Sequence, residues 1–520
     1  MQRRCIALAK QGYIGLSVKS THPESLPWGI SPLTGMTWNN LRALDYLCSR
    51  PDVNQARLGC TGASGGGQQT HFLMCIDDRL DAAVPAVYSS YMKEIMTGRT
   101  WVHCNCNWIP GLLAVTDEPE MAAAFAPRPL LFISNQQDWT ARWETEGLPD
   151  VRKVYGWHGA EGAVENAQYS EPHGYPKPWR ERMYAFFNQH FMGGGLASVV
   201  EPDSLPELSP REMAAMLPEV PTCQERVDRL EAEFAARLGK RLAEPRDRAD
   251  AARLQHNLLE HLRRFLHEPA PTRRASPPAT VHEDVSGDCR LRVVHVSTEP
   301  EITVPALLIT ALGGASARSL VILVDGRGKE VVFAEEEKLW RGLLAAGAGI
   351  LIPDVRYWGE LSTHPAWPRA YGTLVGRPPA AVAAHDVLEL ARSLRTTGEF
   401  DRRRIVVMGI GDGAVPALLA GALDEELEGV AGTDVGPTYT EGRTTPVCTG
   451  ILQVCDLPDL ACLLAPRPLF WAGVPDTAAY ASADRFAKVV RARGHLITSE
   501  RENAERPGLL AWYSTLRERR

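Results

Sequence analysis

Residues 57–76, RLGCTGASGGGQQTHFLMCI, decide the fold of this chain of 520 residues. A short apolar run leads into 62–66, GASGG, and a stretch of helical character follows. A serine in a G-x-S-x-G sequence between a strand and a helix is typical of a nucleophile elbow, a turn so tight that its flanking positions must lack bulk. The spacing therefore predicts Ser64 as a nucleophile, with the backbone N–H of Gly65 directed at an oxyanion. A glycine-rich turn that carries a serine by chance is the alternative.

Two later residues form a pattern with this serine. Asp138 follows a strand predicted at 129–134, and His173 lies in the loop before a helix predicted at 178–191. Serine, aspartate and histidine after successive strands, in this order, are the arrangement of an α/β-hydrolase triad. We expect Ser64 to attack an acyl carbon, His173 to take and return its proton, and Asp138 to fix the imidazole tautomer.

Each of these assignments has an alternative. Asp138 could instead cap the helix that follows it. His158 also follows a predicted strand, at 151–157, and could be the base in place of His173. Only one strand, 12–18, is predicted before the elbow, whereas an α/β-hydrolase has several there, and one of their loops supplies a second oxyanion donor. The first domain is therefore expected to lack its N-terminal strands.

Two loops carry further candidate residues. In 100–111, TWVHCNCNWIPG, the side chains of His103, Cys104 and Cys106 could bind a metal, but two ligands one residue apart without a second pair are a weak zinc signal. A packed loop or pocket wall is the preferred interpretation, so neither a metal nor a cofactor is expected. Three tryptophans could form a sugar-binding platform, or could be buried in the core instead: Trp28, Trp101 and Trp139.

The middle of the chain predicts a linker. Residues 195–222 are rich in proline and serine, 224–267 have helical periodicity with Pro245 as a breaker, and 268–279 form a flexible connector. A helical hairpin between two domains is the expected structure. From 280 an α/β pattern begins again, with strands predicted at 291–297, 303–310, 319–324, 348–353 and 404–408.

The second α/β region repeats the first. The sequence APRPL at 126–130 recurs at 465–469, and Arg57-Leu58…Gly62 recurs as Arg404-Ile405…Gly409. Similar offsets between matching segments indicate a duplicated domain. The copy lacks the chemistry: Gly411 occupies the serine position, and Glu505–Gly508, ERPG, stands where the first copy has Glu171–Gly174, EPHG. Asp476 corresponds to Asp138.

Two other classes of function fit parts of this pattern. Residues 409–414 also read G-x-G-x-x-A between a strand and a helix, with Asp434 about 20 residues on, which is the fingerprint of a dinucleotide site and of a nicotinamide-dependent oxidoreductase. The motif falls on a middle strand of its domain and aligns with the elbow of the first half, which weakens that interpretation. A non-catalytic binding or scaffold protein is the other alternative.

Composition excludes several partners. With 44% hydrophobic residues, 23% charged residues and a net charge of −7, the chain gives no reason to expect nucleic acid, and no apolar run is long enough to span a bilayer. The 11 cysteines are scattered and odd in number, which favours free thiols. No signal peptide is recognisable, so the chain as it stands is expected in the cytoplasm, but the compartment of a longer protein is left open.

Several of these segments together resemble a known group of enzymes. The segments are Gln11-Gly-Tyr, 50–70 (RPDVNQARLGCTGASGGGQQT), Asp77-Asp78-Arg79, 126–134 (APRPLLFIS) and His173-Gly-Tyr. They resemble bacterial α/β-hydrolases of the acetylxylan-esterase-like group, which are related to dienelactone-hydrolase-like and prolyl-oligopeptidase-like enzymes. The resemblance covers 1–193 well and 280–520 more loosely. It implies hydrolysis of carboxylic esters by a serine esterase, often the removal of acyl groups from plant polysaccharides, without a cofactor. The reaction expected of this chain is removal of an acyl group, such as acetyl, from a carbohydrate or a small ester.

The sequence thus predicts an α/β protein with two tandem α/β-hydrolase-like domains. Residues 1–194 would be the catalytic domain, 195–279 the helical linker, and 280–520 a degenerate copy. The expected partner is a small-molecule or polysaccharide ester, and the oligomeric state is not predicted.

Overall fold

The computed structural model describes most of the chain, and the described residues form a mixed α/β fold with one parallel and one mixed sheet. They are 2–22, 24–97, 103–194, 199–215, 222–239, 245–266, 275–312, 318–364, 366–436, 438–440, 444–474, 477–492, 495–497 and 505–518. The chain divides into two compact units. Unit 1 comprises Met1–Glu24 and Ile30–Arg229, and unit 2 comprises Ser25–Gly29 and Leu230–Arg520.

Unit 1 is built on a parallel sheet of four strands among its described residues, in the order β1-β2-β3-β4. The strands are β1 Gly59–Ala63, β2 Ala82–Ala86, β3 Leu130–Asn135 and β4 Val164–Tyr169. The helices are α1 Gln2–Ala9, α2 Pro32–Ser49, α3 Gly65–Ile76, α4 Met92–Thr97, α5 Glu118–Ala123, α6 Gly147–Trp157, α7 Lys177–Phe191 and α8 Pro210–Ala215, and α9 Cys223–Gly239 runs across the boundary to unit 2.

Both faces of this sheet are covered by helices. On one face Leu130 and Phe132 pack in a cluster with side chains of α2, α3, α5 and α6, and on the other Leu131 and Ile133 pack with side chains of α1 and α7. Strands that are buried on both faces read as continuous apolar runs, which is why the sequence of β3 could be recognised. All four strands are parallel, so the segments after their carboxyl ends share one edge of the sheet.

Two predicted strands of unit 1 are wrong. Residues 151–157 belong to helix α6, whose buried residues Leu148, Val151 and Tyr155 follow a helical spacing. His158 therefore ends a helix that leads back to the start of β4, at the edge of the sheet opposite to the carboxyl ends of the strands. Residues 12–18 have no strand structure, and Ile14 and Leu16 are 48% and 43% exposed.

Unit 2 contains a nine-stranded mixed sheet among its described residues, in the order β13-β12-β11-β10-β8-β9-β7-β6-β5. The strands are β5 Ala279–Ser286, β6 Cys289–Glu299, β7 Ile302–Ala311, β8 Ser319–Asp325, β9 Ala348–Pro353, β10 Ile405–Ile410, β11 Gly429–Thr433, β12 Leu469–Trp471 and β13 Leu496–Ile497. The helices are α10 Arg248–Phe265, α11 Lys329–Glu335, α12 Glu337–Ala345, α13 Ala366–Leu374, α14 Pro379–Thr397, α15 Ala414–Leu423, α16 Leu457–Leu464, α17 Ala481–Val490 and α18 Glu505–Glu518.

Each of the five strands predicted after residue 280 overlaps a strand of this sheet, from β6 to β10. The antiparallel pairs lie at one side, where β5, β6, β7 and β9 are neighbours, and the remaining pairs are parallel. No helix in the described part of the chain is both long and apolar enough to cross a membrane.

Candidate active site

Ser64 lies in the turn between β1 and α3, with a backbone conformation that non-glycine residues rarely adopt. Its φ and ψ are 56° and −119°. The turn is held by backbone hydrogen bonds: the N–H of Ser64 donates to the carbonyl of Ala86 at 3.0 Å, and the N–H of Gln68 donates to the carbonyl of Ser64 at 2.8 Å. Such a conformation costs roughly 1–3 kcal/mol and persists only where the surroundings enforce it.

The glycines of the elbow are not equivalent. A Cβ on Gly62 would lie 2.3 Å from the carbonyl oxygen of Gly66, and a Cβ on Gly67 would lie 2.4 Å from the carbonyl oxygen of Ala86. Both obstacles are backbone atoms, so a side chain would displace the strand or the helix. A Cβ on Gly65 or Gly66 would meet nothing within 4 Å. Close approach of helix to strand therefore requires glycine at only two of these four positions.

This difference predicts opposite effects for two alanine substitutions. Gly62→Ala should lower the free energy of unfolding by roughly 3 kcal/mol, because its Cβ overlaps backbone that cannot move aside. Gly66→Ala is the matched control in the first turn of α3, and it should be neutral or stabilising by up to about 1 kcal/mol, since alanine favours helix over glycine. Thermal melting of the two variants beside the parent chain measures both effects. Equal melting temperatures for Gly62→Ala and the parent would contradict the steric argument.

The structure brings Asp138 and His173 together. Nδ1 of His173 lies 2.6 Å from Oδ2 of Asp138, while the other carboxylate oxygen accepts hydrogen bonds from the backbone N–H of Thr140 at 2.8 Å and from its hydroxyl at 2.6 Å. The carboxylate side chain is fully buried, whereas the imidazole is partly exposed. Helix α6 begins at Gly147, so Asp138 caps no helix in this structure. The carboxylate can orient the imidazole and stabilise its cation.

The ring of Trp139 lies beside this pair. The ring of Trp139 lies 4.8 Å from the ring of His173 and 4.8 Å from that of His103, and its indole N–H donates to the carbonyl of Tyr88 at 2.9 Å. Trp139 is thus held beside the imidazole of His173. Of the other tryptophans predicted for a substrate platform, Trp101 lies outside the described residues.

Trp28 is buried within unit 2. It belongs to unit 2, is only 5% exposed, and packs against Phe234 with 5.6 Å between ring centroids. Its carbonyl accepts a hydrogen bond from the side chain of Gln453 at 2.9 Å. These contacts favour the alternative of buried packing for Trp28.

Sequence analysis missed the contact that holds the His173 loop. The hydroxyls of Tyr175 and Thr61 lie 2.9 Å apart, and that of Thr61 donates to the carbonyl of Val84 at 2.9 Å. Because the single proton of Thr61 is used there, Tyr175 must be the donor. Burial raises the pKa of Tyr175 to about 12, which keeps its proton in place. The loop that contains His173 is therefore tied, through Tyr175, to strand β1, which ends one residue before Ser64.

Loss of this hydroxyl should weaken unit 1. Tyr175→Phe is expected to lower the free energy of unfolding by about 1 kcal/mol, the net value of one hydrogen bond. Tyr46→Phe removes a hydroxyl from an exposed tyrosine on α2 and should have no comparable effect. Urea unfolding of both variants measures the difference. A loss of the same size in both would mean that the bond to Thr61 contributes nothing specific.

In unit 2, Gly411 stands at the position that the sequence pattern aligned with Ser64, and it begins a 3₁₀ turn, Gly411–Gly413. Gly411 has φ 53°, close to that of Ser64, and lies between β10 and α15. Arg506 contacts Asp434 at 2.8 Å and also pairs with Glu336. Asp434, the acidic residue of the alternative dinucleotide fingerprint, thus pairs with a cation of its own unit. Asp476 lies outside the described residues.

A cluster of possible metal ligands lies in unit 1, but it differs from the one considered from sequence. Ligand atoms of His22, Cys104 and Cys106 all lie within 4.8 Å of one another. His103 is not part of this group, and its Nδ1 contacts the side-chain amide of Asn107 at 2.8 Å. His22 is about 80 residues away along the chain, so no local spacing could have indicated it.

The comparisons with known proteins give partial relatives. No protein-family model matches the chain. A Bacillus subtilis (strain 168) protein, YtaP, named in general terms as a hydrolase, is 30% identical over 138 residues, which are 26% of this chain and 44% of YtaP. The 4-O-methyl-glucuronoyl methylesterase 1 of Wolfiporia cocos (strain MD-104) is 24% identical over 191 residues, 31% of this chain and 47% of that protein.

Solved structures give distant neighbours. Acetyl xylan esterase 1 from Thermoanaerobacterium sp. JW/SL YS485 matches with a TM-score of 0.37 and 15% identity, over 50% of this chain and 93% of that one. The chain spans about half the length of the curated relatives it matches. Its relatives and structural neighbours are hydrolases and esterases, including acetyl xylan esterases, which is the group that the sequence resembles.

Proposed function

We propose that unit 1 is a serine carboxylic-ester hydrolase with Ser64 as nucleophile, His173 as base and Asp138 as the residue that orients the base. The observation that carries this proposal is the 2.6 Å contact between Nδ1 of His173 and the buried carboxylate of Asp138, in a loop that Tyr175 ties to the elbow strand. The strained conformation of Ser64 adds support, because backbone strain of this kind is concentrated at functional sites.

The proposed reaction has two halves. Ser64 Oγ attacks the ester carbonyl carbon while its proton passes to Nε2 of His173, and the imidazolium then protonates the departing alcohol. A water molecule next attacks the acyl-serine, giving its proton to His173, and the carboxylic acid leaves as Ser64 regains a proton. In both halves the backbone N–H of Gly65, the first residue of α3, would donate to the oxyanion, where the helix N-terminus favours negative charge.

We propose an acetylated carbohydrate or a small acetyl ester as the substrate. The acetyl xylan esterase among the structural neighbours suggests the acetyl group, and the name of the Wolfiporia cocos relative, a glucuronoyl methylesterase, suggests a carbohydrate. Trp139, held beside His173, offers an aromatic face on which a sugar ring could stack. Sugar rings pack on aromatic side chains because their C–H faces are apolar.

We further propose that the chain carries two tandem α/β-hydrolase-like domains, joined by a helical linker, and that the second domain does not catalyse ester hydrolysis. Support comes from matching contacts in the two units. Arg128 donates to the carbonyls of Asp77 and Leu80, which follow α3, and Arg467 donates to the carbonyls of Asp424 and Leu427, which follow α15. Such equivalence at repeated positions is expected of a duplicated domain.

Hydrolysis of p-nitrophenyl acetate and of acetylated xylo-oligosaccharides by the full chain tests the proposed function. Release of acetate from both supports a carbohydrate acetyl esterase, and release from the nitrophenyl ester alone restricts the substrate to small esters. The methyl ester of glucuronic acid is the comparison substrate, because its alcohol rather than its acid is the small group. No hydrolysis of any of the three would favour the non-catalytic alternative.

A further inference from the structure

Three side chains with high affinity for soft metals converge beside the elbow helix of unit 1. The exposed His22 and Cys104 and the buried Cys106 have ligand atoms within 4.8 Å of one another. Among the described residues, no other group of three or more histidine, cysteine, aspartate or glutamate side chains has its ligand atoms this close together. A tetrahedral zinc ion with Zn–S bonds of about 2.3 Å places its ligand atoms about 3.8 Å apart, so the side chains need to close by no more than about 1 Å.

Both segments that supply these ligands are anchored on the same helix. The side-chain amide of Gln68 donates to the carbonyl of Cys106 at 3.0 Å, and that of Gln69 donates to the hydroxyl of Ser20 at 2.7 Å. Gln68 and Gln69 are neighbours on α3. The ligands are thus positioned by the core of unit 1 rather than by two loops that move independently.

A direct contact also joins the two segments. The side-chain amide of Asn105 donates to the carboxylate of Glu24 at 2.9 Å. Asn105 lies between the two cysteines, and Glu24 lies two residues after His22. Ligands that are already held near their bound positions lose little conformational freedom when a metal binds, which favours binding.

We propose that His22, Cys104 and Cys106 form a binding site for a zinc-like divalent ion. The two thiols bind as thiolates and release their protons to solvent, and the histidine binds through a neutral ring nitrogen, so the ion and its protein ligands carry no net charge. A water molecule completes the tetrahedron at the exposed side of the cluster. Thiolate and imidazole ligands select zinc over magnesium or calcium, which prefer oxygen.

A metal bound at this site would stabilise a loop that lies beside the candidate active site. Metal binding joins the segment that contains His22 to the loop of Cys104 and Cys106. The ring of His103, next to Cys104, lies 4.8 Å from Trp139, which in turn contacts His173. The proposed metal site itself does not depend on the proposed esterase function, because its test measures binding alone.

Cobalt titration of the full chain tests the metal site. The chain is reduced, freed of metal with a chelator, and titrated with Co²⁺, which reports thiolate ligands by a charge-transfer band in the near ultraviolet and tetrahedral geometry by visible bands. We expect both signals to saturate at one Co²⁺ per chain and to be displaced by Zn²⁺. His22→Ala and Cys104→Ser change exposed residues, so they should fold normally and bind more than about tenfold more weakly.

The control is Cys48→Ser, which removes a thiol outside the cluster and should bind like the parent chain. No charge-transfer band in the reduced parent chain would overturn the proposal. Unchanged affinity in both His22→Ala and Cys104→Ser would do the same, since other thiols would then be the ligands. A disulfide between Cys104 and Cys106 in the purified chain, with no Co²⁺ binding after its reduction, would also contradict it.

Discussion

Ser64→Ala is expected to abolish ester hydrolysis by the full chain. Removal of the nucleophile of a Ser-His-Asp site lowers kcat by at least about four orders of magnitude, because attack on the carbonyl then depends on water alone. Hydrolysis of p-nitrophenyl acetate, followed by the absorbance of nitrophenolate, measures the loss. The variant should fold normally, since alanine is smaller than serine and has no polar group to satisfy.

A matched control separates this effect from general damage. Ser49→Ala removes an exposed hydroxyl at the end of α2, where its partner is a backbone carbonyl of the same helix, and should leave kcat unchanged. If Ser64→Ala and the parent chain hydrolysed the ester at equal rates, the nucleophile would have to lie elsewhere or the chain would have to be inactive. In the second case the Gly-rich turn at Gly411 should be tested for binding of a nicotinamide cofactor.

Asp138→Asn is expected to lower kcat by about four orders of magnitude, the loss typical of a wrong imidazole tautomer. Both hydrogen bonds from Thr140 end on the same carboxylate oxygen, so an asparagine must place its carbonyl oxygen there. Its NH₂ group then faces Nδ1 of His173, which can only accept. The ring proton is forced onto Nε2, and that nitrogen can no longer take the proton of Ser64.

Steady-state kinetics of Asp138→Asn beside Asp78→Asn measure this loss. The carboxylate of Asp78 is fully exposed in the turn after α3 and lies 3.6 Å from the partly buried guanidinium of Arg128. An exposed ion pair of this kind contributes little, so its amide should have little effect. The decrease should occur in kcat with KM nearly constant, because the carboxylate of Asp138 is fully buried and would act through His173. A normal kcat in Asp138→Asn would contradict the assignment of His173 as the base.

Strands with both faces buried were predictable from the sequence. Segments whose apolar residues fit a strand as well as another structure were not. The apolar runs of β2 and β3 have no other stable environment than the middle of a covered sheet. In 151–157, Val151, Val154 and Tyr155 are as typical of a strand as of a helix, and only the position of Leu148 reveals the helical period. In 12–18, the β-branched and apolar residues suggested a strand, but no neighbouring strand pairs with them in the described structure.

The candidate site was predictable where chain order determines it. Asp138 and His173 follow β3 and β4, and the carboxyl ends of parallel strands share one edge, so their proximity follows from topology. Side-chain contacts between segments that are distant along the chain could not be predicted from chain order. The bond from Tyr175 to Thr61 spans 114 residues, and the carbonyl of Trp28 meets Gln453 across 425. Nothing in the local sequence of Trp28 indicates that it packs within unit 2.

The turns at Ser64 and Gly411 differ in what they cost the backbone. Ser64 and Gly411 adopt nearly the same φ, 56° and 53°, but only a residue with a Cβ is strained there. Glycine adopts this φ without steric cost, so Gly411 avoids a strain that Ser64 carries. Selection for stability alone would therefore replace serine by glycine at this position. A serine in so unfavourable a conformation is expected where its side chain, rather than the stability of the turn, is needed.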